Sequence, residues 1–145
     1  MPLRLALLLI VALAGPSAAL AHSYSYDDFK VGHLWSPVPE EGEDTLVVYG
    51  PLIATGDAAI TITGIASPDA AEVRFRKVED GVESWPESLV LEPGRPLGLA
   101  AWREHIWLGG LTRPLHDGDA VILELTLSDG RRLEVESMVE DTPGD

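Results

Sequence analysis

Four short stretches of the chain alternate apolar and polar residues with a period of two, and that period fits a strand with one buried face, not a helix. Ile60 and Ile62 alternate with Thr61 and Thr63, and Val73 and Phe75 with Arg74 and Arg76. Leu123, Leu125 and Leu127 alternate with Glu124 and Thr126, and Leu133 and Val135 with Glu134 and Glu136. Turn formers fall between the stretches: Thr55-Gly56-Asp57, Ser67-Pro68-Asp69, Asp80-Gly81, Glu92-Pro93-Gly94, Asp117-Gly118-Asp119 and Ser128-Asp129-Gly130. This pattern predicts an all-β fold, an antiparallel β-sandwich with one core across residues 22–139. Pro37, Pro39, Glu40, Glu41, Gly42 and Glu43 read as an exposed loop, and residues 140–145 as an acidic, disordered tail.

The first 21 residues have the three parts of an export signal: Arg4 near the start, an apolar run from Leu5 to Ala14, and the small-residue site Ala19-Leu20-Ala21. The apolar run is too short to cross a bilayer. Cleavage after Ala21 would leave His22 as the first residue, in the periplasm, with no membrane span remaining. An N-terminal histidine offers its α-amine and its ring Nδ1 to one metal ion. A second histidine would complete a three-nitrogen brace of the kind that suits Cu(II). The alternative is a frayed terminus in which His22 is merely the residue after the cut.

The chain carries 10 basic and 24 acidic residues, a formal charge of −14, and no cysteine. A surface this acidic repels nucleic acid and anionic lipid, and attracts cations and basic proteins. Without cysteine the fold must hold by its core, and thiolate metal sites and cysteine nucleophiles are excluded. The histidines are His22, His33, His105 and His116, and Met138 is the only methionine beyond Met1. A metal site here must therefore use imidazole, the terminal amine and carboxylates. Enzymatic motifs are missing: there is no G-x-S-x-G elbow and no glycine-rich phosphate loop, and no carboxylate pair stands out as acid and base.

Several landmarks together resemble the PCuAC family of periplasmic copper chaperones. They are Asp28-Phe29-Lys30-Val31-Gly32-His33-Leu34-Trp35, Thr55-Gly56-Asp57-Ala58-Ala59, Ile65-Ala66-Ser67-Pro68, Leu91-Glu92-Pro93-Gly94, His105 to Leu111, Pro114-Leu115 and Gly118-Asp119, in the family's order. The resemblance implies a cupredoxin-like sandwich that binds one copper ion and passes it to a membrane-bound oxidase. It also implies a copper site of two histidines and two methionines, the last two ligands forming His-x-Met. This chain departs from that set: Arg76 stands at the first histidine, Trp85 at a methionine, and Trp107 at the methionine of His-x-Met, while His105 is kept.

Loss of both thioethers removes the soft ligands that select Cu(I), and a guanidinium cannot coordinate a metal. Two readings follow. Copper, as Cu(II) rather than Cu(I), is held by nitrogen ligands drawn from His22, His105 and His33. Or the scaffold is metal-free and acts by protein contact. His33 has a structural alternative as a hydrogen-bonded strand residue, and His116 falls at an exposed turn with no expected role.

Overall fold

The computed structural model describes residues 23–141. The strands are β1 (Tyr24–Ser25), β2 (Phe29–Val31), β3 (Trp35–Pro37), β4 (Thr45–Val48), β5 (Gly50–Ala54), β6 (Ile60–Ala66), β7 (Ala70–Glu79), β8 (Val82–Ser84), β9 (Leu89–Leu91), β10 (Leu97–Leu99), β11 (Glu104–Leu111), β12 (Ala120–Leu127) and β13 (Arg132–Glu140). There is no helix among the described residues. The strands form three hydrogen-bonded sheets, in the orders β1-β2-β5-β10, β4-β11-β7-β8 and β3-β13-β12-β6-β9.

Every alternation read from the sequence becomes a strand with its apolar face inward. Along β12, Val121, Leu123, Leu125 and Leu127 are buried while Glu124 between them is exposed. Leu133, Val135 and Val139 continue the buried face on β13, and Ile106 and Leu108 supply β11's share. These residues and Phe29, Leu34, Val48, Leu52, Ile62 and Leu91 make one contiguous cluster, to which all three sheets contribute. The chain passes between the first two sheets at Tyr49, which alone separates β4 from β5. Gly50 follows at φ 132°, where a Cβ would lie 2.5 Å from the carbonyl oxygen of His33. Only glycine fits that corner.

The Asp80-Gly81 signal is a two-residue hairpin turn, with φ of 50° and 77° and with Glu79 paired to Val82. Positive φ at both central residues gives the strands the twist that a tight hairpin requires. This turn folds β8, and the residues just after it, back along β7.

Two details differ from the sequence reading. The sheets are antiparallel except for one pairing, β3 with β13, which is parallel with Trp35 opposite Met138 and Pro37 opposite Glu140. Strand β13 also runs through Glu140, where the disordered tail was expected to begin, and β3 takes in Pro37 from the expected loop. The extra order comes from long-range bonding between the two ends. Ser36 Oγ and Ser137 Oγ, both fully buried, are 2.9 Å apart. Arg131 donates two bonds to Asp28, at 2.7 and 3.0 Å, and the Glu136 amide donates to the Tyr24 hydroxyl at 3.1 Å.

Leu123 is fully buried within the shared cluster. Leu123→Ala is expected to lower the unfolding free energy by about 3 kcal/mol, measured by urea denaturation with an unchanged slope. A change below about 1 kcal/mol would mean that this cluster is not the core that holds the sheets together.

Candidate functional site

Strand β11 presents two faces. Ile106 and Leu108 point into the core, so His105, Trp107 and Gly109 share the other side. The register fixes their neighbours there: on β7, Arg76 lies opposite His105, Arg74 opposite Trp107 and Glu72 opposite Gly109, while Val47 of β4 also lies opposite Trp107. Residues directly opposite in a sheet project to the same face. The glycine has a steric reason, since a Cβ on Gly109 would come within 2.3 Å of the Trp107 ring. The indole lies over that gap and meets Trp85 edge-on, with ring centroids 5.4 Å apart.

Trp85 reaches this face because the Asp80-Gly81 turn returns the chain along β7. The Arg74 guanidinium sits 4.2 Å from the Trp85 ring centroid and that of Arg76 5.9 Å. Cation–π attraction of this kind contributes about 0.5–1 kcal/mol at a partly exposed site. Arg76, Trp85 and Trp107 thus converge on one surface with His105.

His105 is 1% exposed. Its Nδ1 lies 3.1 Å from the Ala100 carbonyl and 3.0 Å from that of Arg103. Carbonyls only accept, so Nδ1 carries the hydrogen and Nε2 carries the lone pair. Nε2 is closed to solvent and has no hydrogen-bond partner. Burial pushes the imidazole below its ordinary 6.5, the Arg103 carbonyl opposes this, and the nearby Arg76 charge reinforces it. The ring is therefore a neutral nitrogen donor. Tyr49 packs edge-on against it at 5.7 Å, and Trp35 packs on Tyr49 at 5.2 Å. Burial also pushes the Tyr49 phenol up, with Arg76 pulling the other way.

Arg76 is held from one side. Its Nη2 donates to Glu83 Oε2 at 2.8 Å, while its Nε, shielded from water, has no acceptor.

His33 occupies a different place, between β2 and β3. Its Nε2 is 2.8 Å from Glu140 Oε1. With that hydrogen given to the carboxylate, Nδ1 is left as a second buried, unpartnered imidazole nitrogen. The hydrogen-bonded role weighed for His33 is thus present, and it leaves one nitrogen free. His116 is largely exposed, beside Asp119 in the turn before β12. His22 lies outside the described residues. Among the described residues, no three histidine, aspartate or glutamate side chains gather into a group fit to hold a metal ion.

Sequence reasoning missed Tyr49, Glu83 and Glu140. Glu83 was within reach, because a two-residue hairpin turn at Asp80-Gly81 already folds Glu83 back beside β7. Tyr49, between β4 and β5, and Glu140, at the end of β13, lie far in sequence from the histidines they meet, and no local pattern marks them.

The sequence matches the family described as "putative lipoprotein LpqE-like" over residues 29–139. The chain belongs to that family. A relative from Leifsonia xyli subsp. xyli, described as "putative lipoprotein Lxx21020", is 27% identical over 134 residues, which is 89% of this chain and 80% of the relative. Among solved structures, the copper-bound PCuAC domain from PmoF2 aligns with a TM-score of 0.72 at 21% identity, covering 83% of this chain and 99% of that one. The apo PCuAC domain from PmoF1 gives 0.73 at 17%, covering 83% and 100%. The Cu(I) form of DR1885 from Deinococcus radiodurans gives 0.64 at 24%, covering 75% and 76%. The fold is that of a PCuAC domain, as the landmarks implied.

A buried histidine whose basicity is lowered by folding binds protons more readily when unfolded. His105 should accordingly contribute stability that is present above about pH 6.5 and is lost as the pH falls below it. Comparing wild type with His105→Gln by urea denaturation between pH 7.5 and 5.5 tests this. The wild type should lose stability more steeply than the variant, and parallel profiles would show that His105 takes up its proton as easily folded as unfolded.

Proposed function

We propose that this LpqE-like protein is an exported, non-enzymatic copper handler of PCuAC type, which holds the ion in the periplasm and passes it to a copper-receiving protein such as a membrane oxidase. Copper is its cargo, bound as Cu(II) in preference to Cu(I), with ligands drawn from His22, His33 and His105. Export is supported by the signal-like first 21 residues and by the lipoprotein description of the Leifsonia relative.

One observation carries the reading. Two histidines each have one nitrogen tied to a protein acceptor and the other buried and bare. Metal-binding imidazoles are typically set up this way, with the second ring nitrogen fixing tautomer and orientation by donating to a carboxylate or carbonyl. The described residues do not complete a ligand set, so a further nitrogen must come from elsewhere. His22 is the candidate. As the first residue of the mature chain it would offer its α-amine and its ring as the missing donors.

Stoichiometric Cu(II) binding, with a weak visible band, is expected for protein that begins at His22 with no residue before it. One extra N-terminal residue moves the amine away and should weaken binding sharply. His22→Ala should do at least as much harm and His116→Ala none, with affinity falling below about pH 6.5 as the α-amine and imidazole of an N-terminal histidine protonate. Failure to bind Cu(II) would favour the metal-free protein-contact reading, to which the arginine and tryptophans beside His105 also lend support.

Cu(I) should behave differently. With no thioether at this face, the protein should lose Cu(I) to a chelator that ordinary His/Met PCuAC domains withstand. Tight Cu(I) retention would place the binding site elsewhere.

A further inference from the structure

Strand β7 is 10 residues long, but β8 covers its second edge only from Lys77 to Glu79. From Ala70 to Arg76 that edge has no strand partner among the described residues. The Val78 amide donates to the Arg103 carbonyl, on the β11 side. Backbone groups alternate between the two neighbours of a strand, so those of Val73 and Phe75 point to the open edge. An unpaired edge is a template for another extended chain.

Two further features meet at this edge. A cleft of about 320 Å³ opens beside it, lined by Ile65 of β6, by Val73 and Phe75, and by Trp85, Pro86 and Glu87 where the chain leaves β8. The other feature is Arg74, which also lines the cleft. Arg76 and Arg103 each donate to a carboxylate, at 2.8 and 3.1 Å, whereas the one ion pair of Arg74 among the described residues is with Glu72 at 3.8 Å. That is too long for a hydrogen bond. Stacking on Trp85 uses the flat face of the Arg74 guanidinium and leaves its in-plane N–H groups to an oxygen ligand. Trp107 braces Trp85 in turn, so the fork is held in place before anything binds.

These features together describe an occupant. An extended segment bonded to the backbone of Val73 and Phe75 alternates its side chains between the two faces of the sheet. Residues opposite Val73 and Phe75 turn into the cleft and suit apolar side chains, while the residue between them comes opposite Arg74 and suits a carboxylate. The formal charge of −14 does not forbid this, because salt screens charges beyond about 8 Å at physiological ionic strength. Of the carboxylates at the site, Glu87 is exposed at the lip of the cleft and Glu72 gives up only its long contact with Arg74. We propose that the open edge of β7 and its cleft dock an extended segment of a partner protein, of the pattern apolar–acidic–apolar, as an added strand with its carboxylate on Arg74. The site uses none of the candidate copper ligands and stands independently of copper.

Titrating the isotope-labelled chain beginning at His22, without copper, with the peptide acetyl-Ser-Val-Glu-Val-Ser-amide tests this by NMR. The amide signals of Val73 and Phe75 and the indole signal of Trp85 should shift and saturate. Glutamine in place of the peptide's glutamate, or Arg74→Gln in the protein, should each weaken binding about tenfold, the scale of one lost charge-assisted bond. Arg95→Gln, in the loop between β9 and β10, should leave it unchanged. N-methylation of both valines removes the peptide's backbone donors and should abolish binding. An N-methylated peptide that binds as tightly as its parent, or phenylacetate that shifts the same signals as strongly, would overturn strand addition and make the cleft a small-carboxylate site. Shifts at these residues that depend on protein concentration alone would assign the edge to a second copy of the chain and overturn the proposal likewise. So would saturating shifts confined to another surface, or none up to millimolar peptide. The remaining signals of Arg74→Gln, matching the wild type, show that a loss is not unfolding.

Discussion

Strand β11 is the member on which both the core and the candidate site depend, because it is closed on both faces. Ile106 and Leu108 are pinned in the apolar cluster by the hydrophobic effect, and that fixes the rotation of the strand. Once the rotation is fixed, His105, Trp107 and Gly109 have no choice but the opposite face, between β4 and β7. A slip of one residue would turn the imidazole in among leucines and take Ile106 out of the apolar cluster. The geometry at His105 is therefore held by groups that take no part in its chemistry, and the carbonyls of Ala100 and Arg103 supply the last constraint by orienting the ring.

The strands were legible because period-two patterning and turn chemistry are local. Val121 to Leu127, Leu133 to Val135 and the Asp80-Gly81 hairpin all read directly from neighbouring residues. The convergence of Arg76, Trp85, His105 and Trp107 was legible by family likeness, and the β7–β11 register now gives it a physical basis. What could not be read was the company these residues keep. Tyr49 reaches His105 because β4 borders β11, and Glu140 reaches His33 because β13 returns beside β3; both depend on strand order, which one sequence leaves open. The parallel β3–β13 pairing was missed for the same reason. Glu140 read as tail because its acidic neighbours resemble a solvated end, whereas a single long-range partner is enough to order it.

The side chains opposite and beside His105 decide what this face is in chemical terms. A guanidinium near an indole makes a surface already carrying a positive charge, with a carboxylate assigned to it. Thioethers on the same strands would make one suited to a monovalent soft cation.

The bonds that join the two ends of the domain bear on when it becomes a folded object. Asp28 waits for Arg131, Tyr24 for the Glu136 amide, Ser36 for Ser137 and His33 for Glu140. More than a hundred residues separate the partners in each of these pairs. Contacts of such high order form late and make folding slow. Synthesis delivers the N-terminal strands first, but their partners on β13 come last, so the clasp between the two ends can close only when the whole domain has been made.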